Sequence, residues 1–270
     1  MWQRNSLILT VAILASAFLS GCSSSTPGEF QGYIEGEYVN VAPPLGGALT
    51  NLAVARGEEV RAGQLLFELE RSSEAAVLDE AKKNLAQAKA NAVLSEANYS
   101  RRQQLRDANG VISAEELDQA RAQRDADRAA VESQTAALDK ARWSFDQKQQ
   151  FAPADAQVHD TLYRQGEWVA AGNPVVVLLP PANLKVRFFV PQEMLPRIKS
   201  GETVQVGFDG GKRMYAATIN YVSTDAEFTP PVIYSRENRA KLVYMIEAKF
   251  SPADAADLRP GQPVDVRINP

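Results

Sequence analysis

His159 and Cys22 are the only histidine and the only cysteine in the chain, and that scarcity bounds the chemistry first. One imidazole and one thiol cannot build H-E-x-x-H or a Cys/His metal set, because such centres draw three or four ligands from the protein. A single cysteine also leaves no internal disulfide. Gly210-Gly211-Lys212 has the composition of a phosphate loop, yet the spacing G-x-x-x-x-G-K-[ST] is missing and Arg213 stands where Ser or Thr is required. Asp and Glu together number 33, but an acid–base pair among them is a matter of folded geometry that spacing alone does not supply. The formal charge of -4 offers nucleic acid no general attraction. The expectation is a protein with no catalytic, cofactor-binding or metal-binding residues: no enzyme, no cofactor and no nucleic-acid partner.

Cys22 takes its meaning from its place. The opening stretch, MWQRNSLILTVAILASAFLSGC, carries Arg4, an apolar run from Leu7 to Leu19 and small residues before the cysteine. That run is shorter than the roughly 20 residues a membrane-spanning helix needs, and residues 1–21 read as an export signal. Leu19-Ser20-Gly21-Cys22 resembles the lipobox of bacterial lipoproteins, which implies lipidation of Cys22 as the first residue of the mature chain. An ordinary secretory signal with an incidental cysteine and an uncleaved anchor are the alternatives. Several acyl chains hold a protein firmly where one binds marginally, since each buried CH₂ contributes about 0.8 kcal/mol. The small-residue stretch CSSSTPGEF begins a tether over residues 22–32.

The mature chain repeats itself once. VAPPLGGALTNLAVARGEEVRAGQLLFEL from Val41 aligns with FAPADAQVHDTLYRQGEWVAAGNPVVVLL from Phe151, both passing through G-x-x-V-x-A-G and ending on an apolar run. Short β-branched and aromatic stretches punctuated by glycine predict strands and tight turns. A single copy is too small to bury a core. The copies are therefore read as halves of one module, with two unrelated hairpins as the alternative.

What separates the copies has another composition. No proline lies from Leu45 through Ala152, and Gly110 is the only glycine between Gly63 and Gly166. Leu78, Ala81, Leu85, Ala88, Ala92, Ser95 and Tyr99 follow 3-4 spacing, as do Val131, Gln134, Leu138, Ala141 and Phe145. Two such stripes around DANGVIS predict an antiparallel helical hairpin with a thin, alanine-rich seam. Ser113 with Glu116 forms a capping box, and Ile112 with Leu117 a hydrophobic staple, at the start of the second helix. Continuing the second stripe backward places Arg124 and Asp127 in the seam, so either the register shifts there or that face meets another surface. Trp143, Phe145 and Phe151 are expected to fill the core where the returning helix meets the sheet. After LLPPANL the pattern becomes period-2 strands, predicting a small antiparallel barrel or sandwich, with a polar loop containing Arg236 and Arg239 as candidate contact residues.

The paired copies resemble biotinyl and lipoyl carrier domains, in which a lysine at the turn between the halves receives the cofactor. Here the hairpin replaces that turn, and Lys82 and Lys83 fall within its first helix. Taken with the lipobox, the split halves, the hairpin and the C-terminal β segment, the chain resembles the HlyD-like periplasmic adaptors, or membrane fusion proteins. VAPPLGGALTNLAVARGEEVRAGQLLFELE, LYRQGEWVAAGNPVVVL and EFTPPVIYSRENRAKLVYMIEAKF carry the likeness, the last looking most like lipoprotein adaptors of ABC-type exporters.

The fold class this implies is mixed α and β and multidomain: a split lipoyl/biotinyl-like β module interrupted by a long antiparallel α-helical hairpin, then a small antiparallel β-barrel. Its expected boundaries are 33–71 and 150–180 for the module halves, 72–149 for the hairpin and 181–270 for the barrel-like domain, possible membrane-proximal strands included. The resemblance implies a noncatalytic adaptor that forms a homo-oligomeric ring and links an inner-membrane ABC-type transporter to a TolC-like outer-membrane channel. It would be held in the periplasm by the lipid anchor, with the inner membrane favoured over the outer. An RND-pump adaptor and a lipid-anchored structural coiled-coil envelope protein are the alternatives. Family hairpin tips carry Arg, Leu four residues on, and Ser seven beyond the Leu. Arg101 and Leu105 match, and Ser113 comes eight beyond Leu105. These three are the candidate channel contacts, and Arg236 and Arg239 the candidate transporter or neighbouring-subunit contacts.

Overall fold

A computed structural model describes residues 28–110, 112–208, 213–228, 242–255 and 257–268. Cys22, Arg236, Arg239 and the Gly210-Gly211-Lys212 stretch lie outside the described residues. The chain divides into two units, one taking residues up to Gly36 and from Ala182 onward, the other Glu37–Pro181.

In the second unit the two repeat copies interleave. Its strands are β2 (Val39–Val41), β3 (Gly47–Leu52), β4 (Glu59–Val60) and β5 (Leu65–Leu69) from the first copy, with β6 (Gln149–Phe151), β7 (Ala156–Thr161), β8 (Trp168–Val169) and β9 (Val176–Leu179) from the second. They form two four-stranded sheets, ordered β2-β9-β7-β4 and β6-β5-β3-β8, so each sheet takes strands from both copies. Neither copy can bury its apolar face alone; between them Leu49, Leu66, Phe67, Leu69, Val158, Val169, Val176 and Leu178 make one core.

Matching backbone hydrogen bonds reveal the internal pseudo-symmetry. Gly57 N–H donates to Val158 O and Gly166 N–H to Leu49 O, each at 2.8 Å, while Gly63 and Gly172 donate likewise to Ala152 and Pro43. Gly57 and Gly166 have φ of 87° and 95°, in the left-handed region where a side chain is strained, which is why both copies spell glycine there. In both turns the following glutamate folds back: Glu58 accepts from Ala55 N–H at 2.9 Å and Glu167 from Arg164 N–H at 2.8 Å.

Between β5 and β6 run α1 (Ser72–Asn109) and α2 (Ala114–Asp146), 38 and 33 residues long. At 1.5 Å per residue α1 is about 57 Å long. Among the described residues no helix is long and apolar enough to cross a membrane. Trp143 and Phe151 depart from the expected core role, being 51% and 48% exposed. Trp143 lies off the seam stripe of α2, and Phe151 projects from the outer face of its edge strand, flanked by the buried Ala152. Only Phe145 packs as expected, beside Leu78, Ala81 and Ala141, with the Arg71 guanidinium 4.4 Å over its ring.

The first unit is a closed six-stranded barrel ordered β1-β10-β13-β12-β11-β14. Its strands are β1 (Glu29–Gly36), β10 (Leu184–Pro191), β11 (Thr203–Gly207), β12 (Met214–Phe228), β13 (Leu242–Phe250) and β14 (Pro263–Ile268). Alternate residues, among them Val186, Phe188, Val204, Val206, Ile246 and Val266, point inward and are fully buried, as period 2 requires. Closure depends on β1, which sequence reading divided between the tether and the first module half. It pairs antiparallel with β10 and β14 instead. At Gly32, opposite Phe188, a Cβ would collide with the Arg187 carbonyl and the Phe188 side chain, so the glycine that blurs the strand pattern is what lets the strand close in.

Candidate functional site

The hairpin contributes no residue to the buried core of the β module, and it carries Arg101, Leu105 and Ser113, the candidate channel contacts. At its base, Lys148 is 5% exposed. Its ammonium donates to Gly46 O at 2.7 Å and meets Glu74 at 3.0 Å, fastening the first turn of α1 and the end of the returning helix to the β module. Burial pushes the Glu74 carboxyl up, but hydrogen bonding and charge from Lys148 and neighbours outweigh it and hold the group below its ordinary value.

Along the arm the seam keeps one register from base to tip. Leu78, Ala81, Ala141, Leu138 and Phe145 cluster at the base; Tyr99, Ile112, Leu117 and Ala120 cluster at the tip. Arg124 and Asp127 do occupy seam positions, partly buried. The register does not shift to avoid them. The Arg124 guanidinium lies 4.1 Å over the Tyr99 ring, while Arg121 donates to the Tyr99 hydroxyl at 3.5 Å. The phenol is thereby held below its usual range, chiefly by that Arg121 hydrogen bond. Across the helices Arg128 pairs with Glu96 at 2.6 Å and Arg102 donates to Glu116 O at 3.2 Å. Of the residues that order the arm, Arg124 and Lys148 escaped sequence reasoning as packing residues, because a charged residue in a stripe reads as an interruption.

The tip is closed by paired caps. Gly110 ends α1 at φ 63°, its N–H donating to Arg106 O at 3.0 Å. Ser113 begins α2: its Oγ accepts from Glu116 N–H at 3.2 Å, and its own N–H donates to the Glu116 carboxylate at 3.0 Å. The Ser113 N–H and hydroxyl bonds hold the Glu116 carboxyl below its ordinary value. Arg101 and Leu105 stand one turn apart on α1, both exposed, Leu105 at 48%. Arg101 donates to Asn98 Oδ1 at 3.1 Å. Arg101 and Leu105 therefore share an open stripe, whereas the Ser113 hydroxyl is engaged in the cap.

Elsewhere, His159 lies against Tyr38, ring centroids 4.3 Å apart, and no group of three His, Cys, Asp or Glu residues converges among the described residues. On the barrel, Glu247 receives Lys185 and Arg187, each at 2.8 Å, and Arg187 also reaches Glu35 at 2.8 Å. Burial raises the Glu247 pKa, and the two cations outweigh it, leaving the carboxyl lowered. Lys83 pairs with Asp79 at 2.6 Å on the α1 surface.

Residues 77–148 match the family model described as the RND MFP alpha-helical hairpin domain. The UPF0194 membrane protein Ent638_1286 of Enterobacter sp. (strain 638) is 28% identical over an alignment spanning 97% of this chain and 96% of its own length. The UPF0194 membrane protein YbhG of Salmonella gallinarum is also 28% identical, over 88% and 87%. Among solved structures, MacA from Actinobacillus actinomycetemcomitans superposes with a TM-score of 0.65 at 18% identity, covering 90% of this chain and 81% of that one. The membrane fusion protein Spr0693 from Streptococcus pneumoniae R6 gives 0.63 at 19% identity, covering 89% and 98%. The chain has the fold of membrane fusion proteins, and its arm matches the hairpin domain of their RND group.

Proposed function

We propose that this protein is a noncatalytic periplasmic adaptor, anchored through lipidated Cys22 and assembled as a homo-oligomeric ring, that links an inner-membrane ABC-type exporter to a TolC-like outer-membrane channel. The observation that carries the reading is the arm itself. Two helices, the longer about 57 Å, leave the β module, bury little beyond a thin seam and end in a doubly capped turn. Ordering so many residues costs about 1–2 kcal/mol each in backbone entropy, an outlay that β-core stability does not require and reach across a gap does. Arg101 and Leu105 are the tip residues offered to the channel. Arg236 and Arg239, in the polar sequence TPPVIYSRENRAK, are offered to the transporter or a neighbouring subunit. The inner membrane is the favoured anchor site.

An RND-type transporter is the second reading, favoured by the description of the hairpin model that residues 77–148 match. Deleting the candidate transporter genes one at a time, and measuring which deletion abolishes co-purification with this protein, separates the two.

The adaptor role is tested at Leu105. Leu105→Glu places a charge where an apolar contact is expected, while on a solvated tip it alters stability by about 0.5 kcal/mol or less. The expected outcome is unchanged helicity and expression with loss of both tip-to-channel crosslinking and export. Parental crosslinking and export in this variant and in a tip deletion would overturn the role.

A further inference from the structure

The arm meets the β module through two short linkers, Glu70-Arg71 between β5 and α1 and Gln147-Lys148 between α2 and β6. Both are hydrogen-bonded to the sheet, Glu70 N–H donating to Ala48 O and Lys148 O accepting from Leu69 N–H, each at 2.8 Å. Each linker also carries a cation, and the two cations cross over. Arg71, on the outgoing linker, pairs with Glu68 of β5 at 2.7 Å and lays its guanidinium 4.4 Å over Phe145 of the returning helix. Lys148, on the returning linker, pairs with Glu74 of the outgoing helix at 3.0 Å and donates to Gly46 O at 2.7 Å. Each cation thus grips the opposite helix with one contact and the β module with another.

Packing around Lys148 leaves little slack. The residue is 5% exposed, and a Cβ on Gly47 would stand 3.2 Å from its Nζ, so a side chain at that position would press on the ammonium. Its two partners lie on different elements. Swinging α1 away from the start of β3 breaks one bond or the other and leaves a buried charge poorly paired, which is costly. An ion pair serving one helix alone would run along its surface, as Asp79 and Lys83 do at i,i+4. The leverage is large: a tilt of about 10° at the root carries the tip of an arm about 57 Å long through about 10 Å.

We propose that Lys148 is a positioning residue: with Arg71 it forms a crossed clasp that fixes the direction of the arm, so that hairpin and β module move as one body. The bearing of the clasp on export rests on the adaptor reading, since a tip that must meet a channel needs a set direction as well as reach. The rigidity of the joint does not rest on it.

The test is a distance distribution measured by pulsed electron spin resonance on the full-length chain with Cys22 retained. Spin labels are carried on unnatural amino acids at position 56 in the β module and position 89 on α1, both exposed, and the labelled protein is diluted with unlabelled chain. The expected wild-type distribution is narrow. Lys148→Met, which keeps the unbranched stem and removes the charge, and Arg71→Gln should each broaden it about twofold or more, as a freed hinge does, at unchanged helicity and cooperative unfolding. Should Lys148→Met lose cooperative unfolding, Arg71→Gln decides alone. A wild-type distribution already as broad as the variants', or a folded variant as narrow as the wild type, would overturn the clasp. The channel crosslink from the tip is scored in unlabelled membranes of the same strains. Narrow variants with the crosslink intact refute the clasp and leave the adaptor reading standing; broadened variants of a protein whose wild-type tip gives no channel crosslink do the reverse.

Discussion

Ser113 has one hydroxyl and two claims upon it. As an N-cap its oxygen satisfies a helix donor that would otherwise face water or a partner unpaired, and the Glu116 carboxylate holds the other side of the box. Ser113→Ala should cost about 1 kcal/mol, the usual worth of such a cap, read as lower amide-exchange protection over residues 112–120. Ser113→Asp should preserve it, since Asp caps equally well and its charge suits the helix N-terminus. The effect is also pH-dependent, with a definite sign. The Glu116 carboxyl titrates below its ordinary value in the folded protein because the Ser113 N–H and hydroxyl favour its ionised form. Its contribution is therefore complete above the unfolded value of about 4.3 and is lost as pH falls through the folded pKa. Protection factors at the tip, corrected for intrinsic exchange, should fall with acidification in the wild type more than in Glu116→Gln. Equal pH profiles would mean that the carboxylate does not hold the cap.

Whole elements were legible where sequence spacing maps directly onto backbone geometry. The G-x-x-V-x-A-G turns, Gly110 and the capping box could be read because positive φ and unpaired helix donors restrict residue choice. Arg124 was misleading, since a one-dimensional stripe counts arginine as polar although its stem and planar guanidinium cover an aromatic ring well. β1 was illegible for the opposite reason: Gly32 weakens local strand propensity and is demanded only by the close approach of Phe188, half a chain away. If Arg124 is a packing residue, Arg124→Ala uncovers Tyr99 and should cost about 0.5–1 kcal/mol, the range for such a stack. Arg124→Lys should recover little, because an ammonium lacks the flat face. Thermal melting followed by helicity, with exchange over residues 95–124 to locate the change, would check both; a stable Arg124→Ala protein would mean that the seam does not use the stack.

At the scale of the whole molecule, the repeat of G-x-x-V-x-A-G records a module cut open to admit an arm, and the cut predicts where the arm can be removed. Core residues of the β module come from both copies and none from the hairpin interior. The boundary is set by Lys148, whose ammonium holds Gly46 O and Glu74, and by β6, which begins at Gln149. A deletion that kept Glu74 and lost Lys148 would strand a partly buried carboxylate, the costly way to break such a pair. Replacing residues 75–146 with a Gly/Ser linker of about four residues instead keeps both partners. Such a linker spans roughly 10 Å, about the distance between packed helix axes, and a shorter connection lowers the entropy of closing the module. The armless protein should retain dispersed amide signals and cooperative unfolding, yet give no channel crosslink and no export. Loss of cooperative unfolding would show that the hairpin helps hold the β module together. Export by a folded armless protein would mean that the connection to the channel runs through the β units, and that the long hairpin serves another purpose.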